Sequence, residues 1–347
     1  MRKLRISLSA TIVLVAMVIV SIVVRVPYVV WEPGATTNLL GTTGSLRIVD
    51  IQGQEPAETT GKILATSMVQ SSASSSITLP ALIANYLRPN RSVMPADAVL
   101  TQGELRPEAL DARRIETQAS REQAMAAGVR VTGGKVVERP KIIAVRANGP
   151  AHNILYSGDF IRAIDDTPMS TENDVRLYLR NNKQVGGQAV VEVQRGSEVL
   201  IVTVAKLVGS PSDGTIASMG VTIGTGYLYQ PSIKVNLPLD VSHPSQGLAL
   251  GITTVDLLHN KDLTQGITLA AVGRVSSTGE VTRVAGINEH AQSAANQRAT
   301  LFLIPIDNCL DISLAFPGMT IVPVSTLKEA VEVVDRWNDS TAEIPSC

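Results

Sequence analysis

Ser245 is the residue of this chain whose surroundings are most typical of nucleophilic chemistry. It lies in residues 243–247 (HPSQG), immediately before an apolar run, 248–258, that predicts a helix. A serine hydroxyl is a poor nucleophile unless a neighbouring group accepts its proton. Free amides at a helix N-terminus, here those of Gln246 and Gly247, could hold the oxyanion that such an attack produces. The sequence therefore makes Ser245 a candidate nucleophile.

Two histidines are candidates for the proton acceptor. His290 lies near the start of a helix predicted over 287–297, and an imidazole with a reference pKa near 6.5 can accept a proton at neutral pH. His243 is the second candidate, because positions 243 and 245 of an extended segment project from the same face. The structural alternatives are a serine that only caps a helix and a histidine that is only a polar surface residue.

A metal site is the less favoured use of these histidines. Asp240, His243, His259 and His290 could supply ligands, but they form no compact ligand motif. We therefore expect no metal and no cofactor.

The elements that would position Ser245 and His290 form an expected C-terminal domain, residues 216–340. Short strands and helices are mixed in it, so the predicted class is α+β. The pattern predicts strands at 219–226, 233–237, 300–304 and 319–323, a hairpin over 267–284, and helices at 287–297, 308–315 and 325–337.

An earlier segment, residues 126–208, has a different pattern. A strand at 141–145 is followed by Gly-Pro-Ala, by Gly158-Asp159, by a helix over 171–181 and by two alternating strands, 188–194 and 198–204. This series resembles a PDZ domain. The resemblance implies a fold that binds an extended peptide as an added strand at a sheet edge.

The N-terminus predicts a membrane anchor within residues 1–25. Basic residues at positions 2, 3 and 5 precede a mostly apolar run, 6–24, which is long enough to span a bilayer as a helix. The positive-inside rule puts the N-terminus in the cytoplasm and the bulk of the chain outside it. Tyr28 and Trp31 are placed like an interfacial aromatic belt. A cleaved signal peptide is the rival interpretation, but its apolar region would be shorter.

Residues 26–125 predict a β-rich region with strands at 45–51 and 62–69 and helices at 79–87 and 116–128, and they carry no recognisable chemistry. Cys309 and Cys347 are the only cysteines. They could pair in an oxidising compartment, although we interpret Cys309 as a small buried residue and Cys347 as a mobile terminus.

Composition excludes two classes of partner. The net charge is −1, charged residues make up 18% and aromatic residues 3% of the chain, whereas nucleic-acid binding calls for a basic face and stacking aromatics. The chain contains no phosphate-binding Gly-x-x-x-x-Gly-Lys-Ser/Thr loop, so ATP is not expected to bind.

The order of elements around Ser245 resembles the proteolytic domain of Lon-type peptidases. In that family a serine in a Pro-Ser-Ala-Gly turn pairs with a lysine, and His290 stands at the lysine position here. Val272 replaces a threonine that normally bonds the lysine, and His243 and Gln246 flank the serine instead of glycine and alanine. With the anchor and the PDZ-like segment, the chain is similar to the membrane-anchored, ATP-independent Lon-like peptidases of bacteria.

The resemblance leaves two functions open. One is an anchored serine endopeptidase in which Ser245 attacks and His290, or else His243, takes the proton. Its PDZ-like domain would capture protein or peptide substrates and raise their local concentration. The alternative is a catalytically inactive pseudoprotease that binds peptides as a scaffold at the membrane.

Overall fold

A computed structural model describes residues 2–53, 59–71, 77–88, 90–99, 107–237, 243–259, 262–339 and 343–347; within its helices the side chains of 2–10, 13, 98, 99 and 107–113 are not described. The chain divides into two compact units. Unit 1 comprises residues 1–132 and 231–347, and unit 2 comprises residues 133–230.

The α-helices of the described residues are α1 (Arg2–Val23), α2 (Leu79–Tyr86), α3 (Ala96–Val99), α4 (Pro107–Val131), α5 (Glu172–Asn182), α6 (Gly247–Leu258), α7 (Ile287–Asn296) and α8 (Leu327–Arg336). Short 3-10 helices cover Pro244–Gln246 and Ile306–Asp311.

The strands of the same residues are β1 (Arg25–Val26), β2 (Tyr28–Asn38), β3 (Thr42–Thr43), β4 (Leu46–Arg47), β5 (Val49–Ile51), β6 (Lys62–Gln70), β7 (Ile77–Thr78), β8 (Ser92–Pro95), β9 (Val137–Val145), β10 (Phe160–Ile164), β11 (Thr167–Pro168), β12 (Ala189–Arg195), β13 (Glu198–Val204), β14 (Val208–Gly209), β15 (Ala217–Ser218), β16 (Val221–Leu228), β17 (Ile233–Val235), β18 (Thr268–Ala271), β19 (Arg274–Val275), β20 (Val281–Thr282), β21 (Leu301–Pro305) and β22 (Thr320–Val324).

Unit 2 is built on a sheet of order β13-β12-β10-β9-β16, with β11 added to β10. Along β12, the buried Ala189, Val191 and Val193 alternate with more exposed residues, as expected for a strand with one face on the core. Helix α5 covers that core with Val175 and Leu179. A capping box between Thr171 and Asp174 fixes where the helix begins.

A buried ion pair holds the hairpin of unit 2 to the Gly158-Asp159 turn. Asp159 is 1% exposed, and both of its carboxylate oxygens accept hydrogen bonds from the Arg195 guanidinium, at 2.8 and 2.7 Å. The Tyr156 amide donates to the same carboxylate, so the buried charge is satisfied on several sides. Removing Arg195 would leave the Asp159 carboxylate in the interior without its charged partner, whereas the Arg195 side chain itself is partly exposed.

Unit 1 contains a mixed sheet of order β22-β21-β18-β6-β2-β8. The strands β22, β21, β18 and β6 run parallel to one another, whereas β2 is antiparallel to both β6 and β8. Residues on both faces of β18 and β21 are buried, as is typical of parallel strands covered on both sides. Helix α7 packs against the face that presents Leu64, Ala270 and Phe302. Burying Phe302 fully contributes about 2–3 kcal/mol.

Helices α4 and α6 of unit 1 cross at a contact that requires glycine. A Cβ atom added to Gly128 would lie 2.6 Å from Thr254 Cβ and 3.0 Å from the Gly251 carbonyl oxygen. The missing side chain therefore lets α4 approach α6, the helix that directly follows the short 3-10 helix containing Ser245.

The boundaries of the two units differ from those expected from the sequence. The strand predicted at 219–226, assigned there to the C-terminal domain, is β16 and belongs to unit 2 because it pairs with β9 along its whole length. Residues 26–125 are not a separate region, because β6 lies between β2 and β18 in the sheet of unit 1. The class is mixed α/β with a small β-rich unit.

Several local expectations are corrected. The hairpin predicted over 267–284 is wrong, because β18 pairs in parallel with β6 and β21, and only the short β19 and β20 pair with each other. Cys309 and Cys347 form a disulfide with their Cα atoms 5.5 Å apart, so the pairing left open by the sequence is present and the interpretation of Cys347 as a mobile terminus is wrong. Trp31 is 9% exposed within β2, so it is buried in unit 1 and takes no part in an aromatic belt.

The segment predicted as an anchor forms most of α1, although the side chains of residues 2–10 and 13 lie outside the described set. Judged on the described residues, none of the helices combines the length and the apolar character that a membrane crossing requires.

Candidate functional site

Strand β16 forms an open edge of the unit 2 sheet. One side pairs with β9, in a register that runs from Val221 opposite Val145 to Leu228 opposite Val137. The other side has no partner strand among the described residues. An edge strand presents a row of unpaired N–H and C=O groups to which another chain can pair. Gly220, with a φ of 74°, forms the turn that leads into this strand.

An apolar strip lies beside this open edge. Val221 and Ile223 are partly buried against the core of unit 2, as is Tyr178 of the adjacent α5, whereas Thr222 and Thr225 are exposed. A peptide added to β16 would direct alternate side chains toward this strip and the intervening ones toward solvent. The edge therefore offers backbone pairing together with a groove for apolar side chains.

Ser245 lies in the second candidate site, the serine turn, which we define as residues 243–247. Ser245 is 1% exposed and occupies the 3-10 helix that leads into α6. His243 is extended, with φ −136° and ψ 146°, and its Nδ1 atom lies 3.0 Å from Ser245 Oγ. This is the arrangement expected for residues 243 and 245 on one face.

The same imidazole nitrogen also has a structural role. Ser245 N–H donates to His243 Nδ1 at 3.3 Å, and His243 N–H donates to Gln246 Oε1 at 3.3 Å. Together these two bonds form a capping box that stabilises the turn. Because Nδ1 accepts from the amide, its lone pair faces the turn, and the ring is in the orientation that a proton acceptor for Ser245 needs.

The amides expected to hold an oxyanion are already used, which corrects the sequence-based assignment. Gln246 N–H donates to the His243 carbonyl at 3.0 Å, and Gly247 N–H donates to the Pro244 carbonyl. Leu248 N–H donates to the Gly273 carbonyl at 2.9 Å. In this conformation the turn satisfies its own donors and presents none of these three to an incoming carbonyl oxygen.

His290 is buried in α7 and makes no hydrogen bond with Ser245. Its Nδ1 atom lies 2.9 Å from Thr66 Oγ1 of β6, and its Nε2 atom is buried without a hydrogen-bond partner. Burial, and secondly repulsion from His243, lowers the pKa of His290 from 6.5 to about 3. A base with so low a pKa accepts a proton weakly at neutral pH.

Thr66 is the residue of this cluster that sequence reasoning missed. It is fully buried, and it lies 224 positions before His290 in a strand with no motif of its own. Gly286 precedes α7 in a left-handed conformation that favours glycine. Its φ is 67°, and an added Cβ would overlap Met68 Sδ. Only the packing of α7 on β6, two elements far apart in the sequence, places Thr66 next to His290.

The four residues considered as metal ligands do not form a cluster that the structure describes. Asp240 lies outside the described residues, and His259 is exposed at the end of α6. Within the described part of the chain no group of three or more His, Cys, Asp or Glu side chains could hold a metal ion.

Known proteins resemble the chain over part of its length. A family model described as PDZ domain matches residues 116–205. The PDZ domain of the SdrC-like protein from Listeria monocytogenes is 24% identical; the match covers 24% of this chain and 86% of that one, with a TM-score of 0.23. A solution structure from Geobacillus thermodenitrificans is 29% identical, with 24% and 92% covered and a TM-score of 0.22. A comparison with curated proteins finds no match.

The family match rests on the segment in which the sequence pattern predicts the PDZ-like series. It contains the Gly158-Asp159 turn, α5 and the β12–β13 hairpin, and therefore most of unit 2. The chain contains a PDZ domain.

Proposed function

We propose that this protein is an extracytoplasmic scaffold that binds extended peptide segments at the open edge of β16. The observation that supports this most directly is the unpaired side of β16 next to the apolar strip of Val221, Ile223 and Tyr178. Backbone pairing supplies affinity in this mode of recognition, and pockets for alternate side chains supply selectivity. The partners are proteins or peptides with an accessible extended segment.

Helix α1 anchors the protein in the cell membrane as a single pass. It has 22 residues, and at 1.5 Å per residue its length is about 33 Å, close to the thickness of a bilayer core. The basic residues before Ile6 favour a cytoplasmic N-terminus, with both units outside. The disulfide between Cys309 and Cys347 supports an oxidising compartment for unit 1.

The serine turn acts in this proposal as a structural element of a Lon-like unit without catalysis. Three observations favour this role over a catalytic one. Ser245 is 1% exposed, the neighbouring amides donate within the turn, and His290 bonds Thr66 instead of Ser245. A nucleophile needs a base, an oxyanion site and access to substrate, and this conformation offers at most the first.

Peptide binding is tested by two substitutions on adjacent residues of β16. Ile223→Glu puts a charge on the apolar strip, and Thr222→Glu puts the same charge on the exposed face of the same strand. Probe peptides are selected from a library of random seven-residue segments, and their binding to the full chain in detergent is measured by fluorescence anisotropy. Ile223→Glu is expected to weaken binding at least about tenfold, which is about 1.4 kcal/mol, and Thr222→Glu less than about twofold.

Equal effects of the two substitutions, with circular dichroism unchanged, would contradict binding at this edge. A library that yields no binding peptide to the wild-type chain would contradict the scaffold itself.

A second function, serine endopeptidase, is favoured by one contact: the 3.0 Å between His243 Nδ1 and Ser245 Oγ. In this mechanism His243 accepts the proton while Ser245 attacks the scissile carbonyl, and a shift of the turn frees the amides of Gln246 and Gly247 for the oxyanion. The test is covalent labelling of the full chain by a serine-directed phosphonate between pH 5 and 9.

Peptidase chemistry predicts labelling that is lost in Ser245→Ala and slowed about 10²-fold or more in His243→Ala. His290→Asn distinguishes the two candidate bases, because it should leave the labelling rate unchanged if His243 is the base. A wild-type chain that binds peptide but takes no label is a scaffold.

A further inference from the structure

Helix α2 exposes an apolar surface that the proposed function does not use. Its eight residues, 79–86, read LPALIANY, and no side chain of the helix is buried. Leu79 is 39%, Ile83 52% and Tyr86 76% exposed, and the following Leu87 is 74% exposed. A contiguous exposed surface of this kind on a protein marks a site of interaction with another apolar phase or molecule.

The exposed residues share one side of the helix. Positions 79, 83 and 86–87 recur at intervals of three to four residues, so their side chains project in the same direction. The helix contacts β7 and β8. An isolated helix of eight residues is marginal in water, so these contacts and whatever covers the apolar face must keep α2 formed.

The position of α2 indicates what covers this face. Strand β1, which follows α1 after one residue, pairs with β7, with Arg25 opposite Thr78 and Val26 opposite Ile77. Helix α2 begins at the next residue and contacts α1. The described apolar side chains of α1, among them Met17, Ile19 and Val23, are exposed as well. The two exposed apolar surfaces are therefore neighbours in the fold.

The charges around α2 fit an anionic lipid surface in part. Arg25 and Arg88 are exposed near the start and just beyond the end of the helix. Asp97 is also exposed, in α3, which begins where Ala96 N–H donates to the Pro27 carbonyl. Because this acid offsets some of the basic charge, the apolar face must carry most of the interaction.

We infer that α2 lies in the headgroup layer of the membrane beside the end of α1, with Leu79, Ile83, Tyr86 and Leu87 turned toward the acyl chains. Interfacial helices bury an apolar face about 5–10 Å into this boundary, and basic side chains at its rim meet lipid phosphates. The inference rests on the proposed membrane anchoring by α1. It adds a second attachment, which would fix unit 1 at the bilayer surface.

The experiment uses single cysteines in the full chain. Ile83→Cys and Leu87→Cys are labelled with an environment-sensitive nitrobenzoxadiazole dye, which the native cysteines do not take up because they are paired. Leu46→Cys is the matched control. It replaces a 60% exposed leucine in β4, beyond the far end of the eleven-residue β2. Each protein is reconstituted into vesicles of phosphatidylcholine and phosphatidylglycerol that contain a lipid with a shallow nitroxide quencher.

The expected result is quenching at positions 83 and 87 at least about fivefold greater than at position 46, because only dyes within the headgroup and upper acyl region reach the quencher. Chains that float with the vesicles but show equal quenching at the three positions would overturn the inference while anchoring by α1 stands. Chains that do not float would overturn both. A third outcome is possible for the dye at position 83. If its emission in detergent shifts to the blue as the protein concentration rises, and if it is not quenched in vesicles, a second copy of the chain covers α2 instead.

Discussion

Acid should destabilise unit 1 through His290. This imidazole is 1% exposed, and its pKa is lowered to about 3 by burial and by repulsion from His243, whereas the unfolded chain titrates near 6.5. Because the unfolded state binds the proton more tightly, the stability contributed by neutral His290 is complete above pH 6.5 and is lost as pH falls toward 3.

The size of the effect follows from the two pKa values. Between pH 7.5 and pH 5.0, a group that titrates at 6.5 when unfolded and at about 3 when folded loses about 2 kcal/mol of unfolding free energy. His290→Asn keeps a polar group near Thr66 Oγ1 and removes the titration. The variant should be less stable than wild type at pH 7.5, and about 2 kcal/mol of that difference should disappear at pH 5.0.

Urea unfolding followed by tryptophan fluorescence measures the free energy of unfolding of unit 1. Both tryptophans, Trp31 and Trp337, lie in unit 1. With a urea dependence of about 2 kcal/mol per molar, the separation of the two midpoints should shrink by about 1 M over this pH range. His259→Asn, which changes an exposed histidine of the same unit, is the control and should show no such convergence.

The wild type must be compared with the variant because a second buried group titrates in the same pH range and changes the stability of unit 1 in the opposite direction. Burial raises the pKa of Asp256 to about 6, so its folded form favours the proton, and this contribution cancels in the difference between the two proteins. Midpoints that keep the same separation from pH 7.5 to pH 5.0 would refute the burial of a neutral imidazole at position 290.

Three further changes have defined outcomes. Asp256→Asn removes a carboxylate whose protonated form stabilises the fold and is lost as pH rises through its pKa of about 6. In the same urea assay the variant should therefore be more stable than wild type by up to about 2 kcal/mol at pH 8, and this advantage should be lost by pH 4. Arg195→Met leaves the buried Asp159 carboxylate without its charged partner and should destabilise unit 2 by about 3 kcal/mol, measured as faster hydrogen exchange in β10 and β12; unchanged exchange would count against the ion pair as a stabilising contact. Gly128→Ala puts a Cβ 2.6 Å from Thr254 Cβ and 3.0 Å from the Gly251 carbonyl oxygen, so α4 must move away from α6 and unit 1 should lose at least about 2 kcal/mol in thermal unfolding. Gly318→Ala, at an exposed position of the same unit with a φ of 82° and no atom near the added Cβ, should cost only about 1 kcal/mol; comparable losses would contradict the close approach of α4 to α6.

Local pattern predicted most elements of unit 2 because they depend on neighbouring residues. The alternation in β12 and β13, the Thr171 cap of α5 and the turn at Gly158 are all visible within a few positions of each element. What the pattern could not give is the partner of each strand. Strand β16 follows residues 209–214, a stretch rich in glycine, serine and proline, so local pattern favours placing the strand in the next domain, yet its hydrogen bonds go back to β9.

The environment of Ser245 was predicted in part for the same physical reason. That His243 and Ser245 share a face follows from extended geometry over three residues, and the 3.0 Å contact agrees with it. The position of His290 depends on β6, which enters the sheet from a region with no recognisable motif. Thr66 and the burial that lowers the pKa of His290 therefore could not be read from the spacing of the two residues.

The measurement that tests the central claim most directly is an N-methyl scan of a peptide bound to the full chain. If the peptide pairs with β16 as an added strand, its amides alternate between facing β16 and facing away. N-methylation at every second residue should weaken binding at least about tenfold, since it removes a hydrogen bond and adds a steric clash, while the intervening positions change it little. Losses without this two-residue period, or none at all, would contradict recognition at the β16 edge.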